Sequence, residues 1–221
     1  MLTEADNFKI KMILGLFTVE KGRLKVLTFK KTGEPYKNYW ILVSKPLSYE
    51  ETFKENTESL LSTYLGKTDI YTEIFKPFED KEEHLDDKVV HITTIGIIDS
   101  ATATYQKKED IEKQSEWFDV DLIPKLAYNH AEIIETMYEY LKKKLKDTDM
   151  IRLLFPSDFT IPEIQNFCEQ IGGKSFDRRN FRKKIMALDI IEETGYFSSV
   201  GSGRPAKLYK FKENIKELNL F

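Results

Sequence analysis

The densest group of chemically active side chains in this sequence lies between residues 174 and 210. This stretch holds nine Lys and Arg residues against four Asp and Glu residues. Within it, Phe181, Ile185 and Leu188 recur at helical spacing, which predicts a helix anchored on a core by an apolar stripe. A basic helix of this kind fits the major groove of DNA, where Arg reads guanine and Asn reads adenine. The predicted DNA contacts on this helix and just before it are Ser175, Arg178, Arg179, Asn180, Arg182 and Lys183.

A second basic group follows a tip rich in Gly and Ser at residues 198–203. Arg204 comes directly after this tip, and Lys207 and Lys210 lie on the segment that returns from it. Side chains in such a position reach phosphates or a minor groove, so we expect Arg204 and Lys207 to contact DNA as well. The glycines do not indicate a phosphate-cradling loop, because no Lys-Ser or Lys-Thr pair follows them. The alternative interpretation of both groups is an ordinary solvated basic surface.

The charge of the chain is distributed unevenly. The 221 residues carry a formal net charge of −3, yet residues 151–221 hold twelve Lys and Arg against nine Asp and Glu. This asymmetry places any polyanion at the C-terminal end. The single cysteine, Cys168, excludes a disulfide within the chain, and its apolar helical setting predicts a packing role. No long apolar run or signal-peptide pattern is present, so we expect a cytoplasmic protein without a membrane segment.

The elements before the basic region predict a sheet with two helices. A first helix is expected to have Ser48 as its N-cap, with Glu50 and Glu51 in the first turn, and to stop at Gly66. A second and longer helix runs from His130 to about Leu145. The inward stripe predicted for the first helix is Phe53, Leu60, Leu61, Tyr64 and Leu65. The predicted strands are residues 8–19, 24–30, 40–43, 70–78 and 89–100.

The pattern changes after a polar break at residues 146–149. Thr160 and Glu163 form a capping box with a proline between them, and the helix they begin ends at two glycines. Asp177 caps the basic helix, which is followed by strands over 190–193 and 206–211. Helix, turn, helix and hairpin in this order are typical of a winged helix-turn-helix.

The stretch from Trp40 to Gly66 resembles the Nudix box. When Gly66 is aligned with the final glycine of the box, the second anchor falls on Glu51 and the first on Lys45. The box glutamates that hold Mg²⁺ in Nudix hydrolases fall on residues that supply no carboxylate: Leu60, Thr63 and Tyr64. Metal-assisted attack of water on a pyrophosphate needs those carboxylates. Glu55 and Glu58 lie on the same helix at other positions, and we interpret them as a solvated face.

Two C-terminal stretches, residues 180–184 and 203–211, resemble the Nudix-related transcriptional regulators of bacteria, of the NrtR type. The segments 87–92, 116–118 and 126–134 are similar to the sheet strand and the closing segment of their sensor domains. The resemblance implies an α+β protein with a Nudix-like α/β/α sandwich and a mixed sheet over residues 1–147. A winged helix-turn-helix would follow over residues 148–221.

The resemblance also implies partners. They are double-stranded DNA with a palindromic operator, bound by a homodimer, and a small effector such as ADP-ribose or a sugar. It implies no cofactor, no metal and no catalysis. His130 is expected to cap or pack at its helix start, although it could be taken for a catalytic base. The residues expected to line the effector pocket, between the sheet and the box helix, are Lys30, Trp40, Lys45, Lys88 and His91.

Two other functions stay open at this point. One is a Nudix-type hydrolase of nucleoside diphosphate derivatives with a non-standard metal site, which the missing glutamates disfavour. The other is a DNA-binding protein whose N-terminal domain serves only for dimerisation. A thermal-shift screen separates this last function from that of a sensor, because a ligand that binds only the folded state raises the melting temperature.

Overall fold

The sheet is organised around one long strand, β1. The computed structural model describes residues 8–66, 69–81, 88–99, 115–147, 150–155, 158–198 and 205–213. The strands are β1 (Phe8–Glu20), β2 (Arg23–Lys30), β3 (Trp40–Ile41), β4 (Val43–Pro46), β5 (Tyr71–Lys81), β6 (Lys88–Ile97), β7 (Ser115–Asp119), β8 (Ile191–Phe197) and β9 (Lys207–Phe211). The helices are α1 (Phe53–Leu65), α2 (His130–Asp147), α3 (Ile151–Leu154), α4 (Ile161–Gly172) and α5 (Arg178–Ala187). None of the described helices is long and apolar enough to cross a membrane.

Strands β1 to β7 form one mixed sheet with the order β3-β2-β1-β6-β5, to which β4 is added beside β1 and β7 beside β2. Strands β1 and β6 are parallel over ten residue pairs, and the other pairs are antiparallel. A mixed sheet needs cover on both faces, because parallel strands are buried on both sides. The sequence prediction of a mixed sheet is confirmed.

The two faces of this sheet carry two separate apolar groups. Side chains alternate along β1, so Ile13 and Phe17 belong to one group while Met12 and Leu14 belong to the other. Helix α2 covers the first face with residues such as Met137, which is fully buried. Helix α1 covers the second face. Helix, sheet and helix form the three layers of the α/β/α sandwich expected from the sequence.

The start of helix α1 differs from the prediction. Thr52, not Ser48, is the N-cap, and it forms a reciprocal capping box with Glu55. Asn56 explains the difference, because its side chain accepts a hydrogen bond from the Ser48 amide at 3.0 Å and donates to the Ser48 carbonyl at 3.1 Å. These bonds hold residues 48–51 outside the helix. Phe53 was predicted to face inward, but as the first helical residue it is 46% exposed.

The C-terminal elements have the predicted order and the predicted caps. Thr160 and Glu163 form the capping box of α4, and Gly173 ends that helix with a left-handed backbone. Asp177 accepts a hydrogen bond from the Asn180 amide at the start of α5. Cys168 is fully buried in α4, as predicted, and burial raises the pKa of its thiol to about 12. Strands β8 and β9 form the antiparallel hairpin of a winged helix.

The winged helix packs directly on the sheet side of the molecule. One apolar core runs without a break from β1 through α2 and α4 to β9, so it includes residues from both sides of the predicted boundary at 147/148. Helix α4 lies against β2. The turn between β1 and β2 contacts this helix so closely that a Cβ atom on Gly22 would lie 2.3 Å from the Glu163 carbonyl oxygen.

We therefore expect Gly22→Ala to destabilise the fold more than Gly195→Ala. Both glycines have positive φ angles, 73° and 83°, so both substitutions carry a backbone cost of about 1–2 kcal/mol. Only Gly22 adds a clash, with backbone atoms of Glu163, whereas nothing lies within 4 Å of a Cβ on Gly195. The clash adds about 1–3 kcal/mol. Urea unfolding of both variants measures the difference, and equal losses of unfolding free energy would disprove the close contact.

Candidate nucleic-acid interface

Helix α5 is held against the winged-helix core by its apolar side. Phe181 and Ile185 are buried, at 2% and 0% exposure, and Phe176 packs on the Phe181 ring at 5.5 Å between centroids. The turn before α5 is fixed by α4, since the Gln165 side chain donates to the Phe176 carbonyl at 2.9 Å. The orientation of α5 therefore follows from the packing of α4.

The opposite side of α5 is exposed and basic. Arg179, Lys183 and Met186 follow one another at spacings of four and three residues, so they share one face of the helix. The structure brings the six residues predicted on and before α5 to the surface, all of them exposed: Ser175, Arg178, Arg179, Asn180, Arg182 and Lys183.

Met186 is a member of this face that the sequence prediction omitted. It is 43% exposed, and an exposed apolar side chain between basic ones can contact the methyl group of thymine. Its spacing from Lys183 is the available signal, although an apolar residue in a helix more commonly belongs to the core.

The predicted wing residues have different surroundings. Arg204 lies outside the described residues. Lys207 contacts both carboxylate oxygens of Glu193, at 3.0 and 2.8 Å. Lys210, which was also considered for phosphate contact, forms an ion pair with Glu192 at 3.1 Å. The two lysines thus belong to cross-strand ion pairs at the base of the hairpin.

The joint between the sheet and the winged helix is polar at its centre. The Gln170 side chain accepts a hydrogen bond from the Leu24 amide at 2.7 Å. Its amide nitrogen donates to Asp119 at 3.0 Å and to Asp121 at 2.8 Å. Arg23 pairs with the same two carboxylates at 2.6 and 3.0 Å. Gln170 lies in α4, three residues before the glycine that ends it, so the joint is one short turn away from the residues that lead into α5.

The structure does not bring the five predicted pocket residues together. Residues paired across strands share a face of the sheet. Lys30 pairs with Trp40, and Trp40 packs on Phe118, whose partner Val26 belongs to the α2 face. His91 is also on that face, opposite Lys11.

Lys45 and Lys88 lie on the other face. Lys45 is opposite Met12, which belongs to the α1 face. Lys88 is three residues before His91 in β6, and side chains alternate along a strand, so Lys88 lies on the face opposite to His91. It is exposed. The Lys45 ammonium forms an ion pair with Glu51 at 2.9 Å, so the residue in place of the first box glycine holds the glutamate that the box retains.

The space expected between the sheet and α1 is filled. Leu60 and Leu61 are 1% exposed, and the Tyr64 ring packs edge-on against Phe29 at 5.0 Å. A cavity of about 10 Å³ remains there among the described residues, which is room for one water at most. The expected cleft is therefore closed, because Leu60 is buried and Tyr64 packs on Phe29 where the Nudix box has metal-binding glutamates, whereas Thr63 is exposed. Their neighbour Glu55 serves the capping box.

A larger pocket, of about 390 Å³, opens between residues 120–126 and helix α2. Its polar lining includes Asp121, Glu135 and Glu139, beside the Tyr138 ring. None of the five predicted pocket residues lines it. No sequence pattern indicates this pocket, since the acidic positions of α2 have the pattern of a solvated helix face. Burial and the nearby Asp121 carboxylate raise the pKa of Tyr138, so its hydroxyl stays protonated.

His130 packs inside the molecule, as predicted. It is 3% exposed, and its Nδ1 accepts a hydrogen bond from the Leu42 amide at 3.0 Å. His91 lies 6.3 Å away between ring centroids. Burial, together with the charges of His91 and Lys11, lowers the pKa of His130 to about 3. A neutral imidazole whose Nδ1 is an acceptor carries its proton on Nε2.

Residues 142–211 match the sequence profile of the NrtR DNA-binding winged helix domain. The C-terminal region is an NrtR-type winged helix. A curated relative, the ADPR responsive transcriptional repressor NtrR of Acinetobacter baylyi, is 25% identical over 205 residues, which are 90% of this chain and 80% of the relative.

Two solved structures have the same folds. NrtR of Shewanella oneidensis, in complex with a 27mer DNA, matches with a TM-score of 0.70 at 22% identity, over 92% of this chain and 93% of that one. The NUDIX domain of the same protein, in complex with ADP ribose, matches with a TM-score of 0.50 at 18% identity, over 62% of this chain and 90% of that one. These likenesses show the fold, in which a Nudix-like sheet domain precedes a winged helix.

We expect His130 to stay neutral from pH 8 to pH 5 in the folded chain. The His130 imidazole takes up a proton near pH 6.5 in the unfolded chain and only near pH 3 in the folded chain. The free energy of unfolding therefore decreases as the pH falls from 6.5 towards 3. Between pH 7 and pH 5 this loss is about 2 kcal/mol. NMR of the imidazole nitrogens tests the expectation, with His130→Asn for assignment. A midpoint near pH 6.5 for the His130 resonances would contradict it.

Proposed function

We propose that this protein is a ligand-responsive, DNA-binding transcriptional repressor whose Nudix-like domain binds its effector without hydrolysing it. The observation that carries the proposal is helix α5, with exposed Arg179, Lys183 and Met186 on one face and buried Phe181 and Ile185 on the other. A helix of this composition, second in a helix-turn-helix, suits the major groove. The relatives named as a repressor and as a DNA complex support the same function.

The residues of α5 divide between base and phosphate contacts. Guanidinium groups form two parallel hydrogen bonds to guanine, which suits Arg179 at the N-terminal end of the exposed face. Lys183 and Arg178 are suited to phosphates on either side. We also propose a homodimer on a palindromic operator, in which two copies of α5 would reach half-sites one helical turn apart.

The effector that we propose is ADP-ribose, which the NUDIX domain of the Shewanella oneidensis relative holds in its solved complex. Because the cleft beside α1 is filled, we assign the contact to the edge where Lys30 pairs with Trp40. Trp40 offers an aromatic surface for adenine and Lys30 an ammonium for phosphate. The Lys125 ammonium lies nearby over the Tyr39 ring at 4.9 Å.

Binding without turnover is part of the proposal. Leu60, Thr63 and Tyr64 supply no carboxylate where the Nudix box has metal-binding glutamates, and the described residues contain no group of three or more potential metal ligands. A hydrolase would destroy the signal that a sensor reports. Ligand binding on the sheet would reach α5 through the Gln170 joint, because Asp119 ends β7 and Gln170 precedes the turn to α5. The coupling is reciprocal, so bound DNA would weaken the binding of ADP-ribose by the same factor by which ADP-ribose weakens the binding of DNA.

The DNA function is tested by selecting duplexes from a random pool and measuring the affinity of variants. We expect Arg179→Ala and Met186→Ala to weaken the selected duplex by about 1–3 kcal/mol each, with relaxed preference at one base position. Lys183→Ala is expected to weaken all sequences alike and to reduce the salt slope by about one. Lys54→Ala, on α1, is the matched control for the loss of one charge. A pool without enrichment would refute the proposed function.

The effector function is tested by calorimetric titration with ADP-ribose. Lys30→Ala is expected to weaken binding about tenfold or more, because it removes a cation from a phosphate. Lys45→Ala is the matched control, since its ammonium is held by Glu51 on the other face of the sheet. The same samples, incubated with Mg²⁺, should release no AMP. Turnover lost in Glu55→Gln or Glu58→Gln would establish the hydrolase instead. If ADP-ribose binds but leaves the affinity for DNA unchanged, the proposed sensor function is wrong.

A further inference from the structure

The base of the wing carries two neighbouring carboxylates in an otherwise basic region. Glu192 and Glu193 lie on β8, opposite Lys210 and Tyr209 of β9. Neighbouring residues of a strand point to opposite sides, so the two carboxylates contact different residues. The described contacts of Glu192 are confined to the hairpin, with Lys210 at 3.1 Å.

Glu193 is connected to the recognition helix through a chain of hydrogen bonds. The Arg182 guanidinium donates to the Tyr209 hydroxyl at 3.4 Å. That hydroxyl donates to Glu193 at 3.3 Å, and Lys207 holds the carboxylate from the other side at 2.8 Å. Tyr209 is 1% exposed, and its backbone pairs with Phe159 through two hydrogen bonds of 2.8 Å. The hydroxyl is therefore a fixed point between helix and wing.

The charge of Glu193 is stable at neutral pH. The hydrogen bond from Lys207 lowers the pKa of Glu193 and desolvation opposes it, while the Lys207 charge, the Tyr209 hydroxyl and the Arg182 charge lower the pKa further. One carboxylate thus faces two of the cations predicted to contact DNA, Arg182 and Lys207. It holds Lys207 directly and Arg182 through the Tyr209 hydroxyl, and it offsets part of their charge.

An anion in this position affects the two kinds of DNA binding to different degrees. Binding to random sequence depends almost entirely on the number of phosphates that cations neutralise. A specific site additionally uses side chains held in one geometry. Specificity is the difference between the two affinities, and it rises when the unspecific one is kept low.

We propose that Glu193 is a specificity-determining residue of the DNA interface, which restrains Arg182 and Lys207 from indiscriminate phosphate contact. The proposal rests on the DNA-binding function proposed above. In a complex with the operator, Arg182 keeps the orientation that the Tyr209 hydroxyl gives it. On DNA of random sequence, Lys207 stays paired with Glu193 and does not contact a phosphate.

The test compares Glu193→Gln with Glu192→Gln. Both changes remove one negative charge from exposed positions of β8, but only the first releases the cations that adjoin the recognition helix. On a 30-bp duplex of random sequence, we expect Glu193→Gln to bind about 3- to 10-fold more tightly, with a salt slope steeper by about one. Glu192→Gln is expected to differ from the parent by less than about twofold. On the selected duplex, Glu193→Gln should gain less than on random sequence, so the specificity ratio falls.

A second variant separates positioning from charge. Tyr209→Phe keeps the buried ring and removes the hydroxyl between Arg182 and Glu193. It is expected to lower the affinity for the selected duplex about threefold or more and to leave the affinity for random sequence unchanged. Thermal unfolding of all three variants verifies the fold.

Equal effects of Glu192→Gln and Glu193→Gln would overturn the inference, because net charge alone would then explain them. So would a Glu193→Gln variant with the parent's affinity for random sequence. Both results leave the proposed function intact as long as the parent prefers its selected duplex. A parent that binds selected and random duplexes alike refutes the function and this inference together.

Discussion

The relative placement of the sheet and the winged helix depends on one buried side-chain amide. Gln170 is 7% exposed, and its oxygen and nitrogen are both bonded to the sheet side of the molecule, at Leu24, Asp119 and Asp121. A buried amide that loses a partner costs about 1–3 kcal/mol, so few alternative placements of α4 are possible. Arg23 pairs with both carboxylates, of which the Asp119 side chain is 15% exposed and the Asp121 side chain 42% exposed.

Through this constraint, the contacts of Gln170 in α4 determine the position of the basic helix α5, although no sequence motif marks them. Helix α4 ends three residues after Gln170, and the turn that follows leads into α5. A shift of Asp119 or Asp121 would move the amide, then the end of α4, and then the helix that we place in the major groove. The apolar core around it is continuous, so the winged helix has no independent surface on which to slide. Packed cores of this kind change between discrete arrangements and do not deform gradually.

Local signals in the sequence were sufficient for the winged helix and its basic face. Thr160, Glu163 and Asp177 act within three residues of themselves, so their capping roles can be predicted without the fold. The same signature is present at Thr52 and Glu55, but Ser48 with Glu50 and Glu51 after it also has the pattern of a helix start. Asn56 decides between them, through a contact over eight residues that no pattern reveals.

Longer-range features could not be predicted. The Lys207–Glu193 pair depends on the register of β8 and β9, which is shifted between Glu193 and Phe197. The assignment of Lys30 and Lys45 to opposite faces depends on how strands distant in sequence pair. The joint at Gln170 combines residues about fifty and 146 positions apart. In each case the residue type was visible, and its partner was set by tertiary packing.

The buried cysteine gives the molecule an internal reporter of its own opening. Cys168 is fully buried in α4, and burial raises the pKa of its thiol to about 12. A thiol in this state does not react with an alkylating reagent, since the thiolate is the nucleophile. Alkylation can therefore proceed only when α4 leaves the core. Because the chain has a single cysteine, the labelling rate reads the free energy of that local opening directly, in the unmodified protein and in the presence of any ligand or DNA.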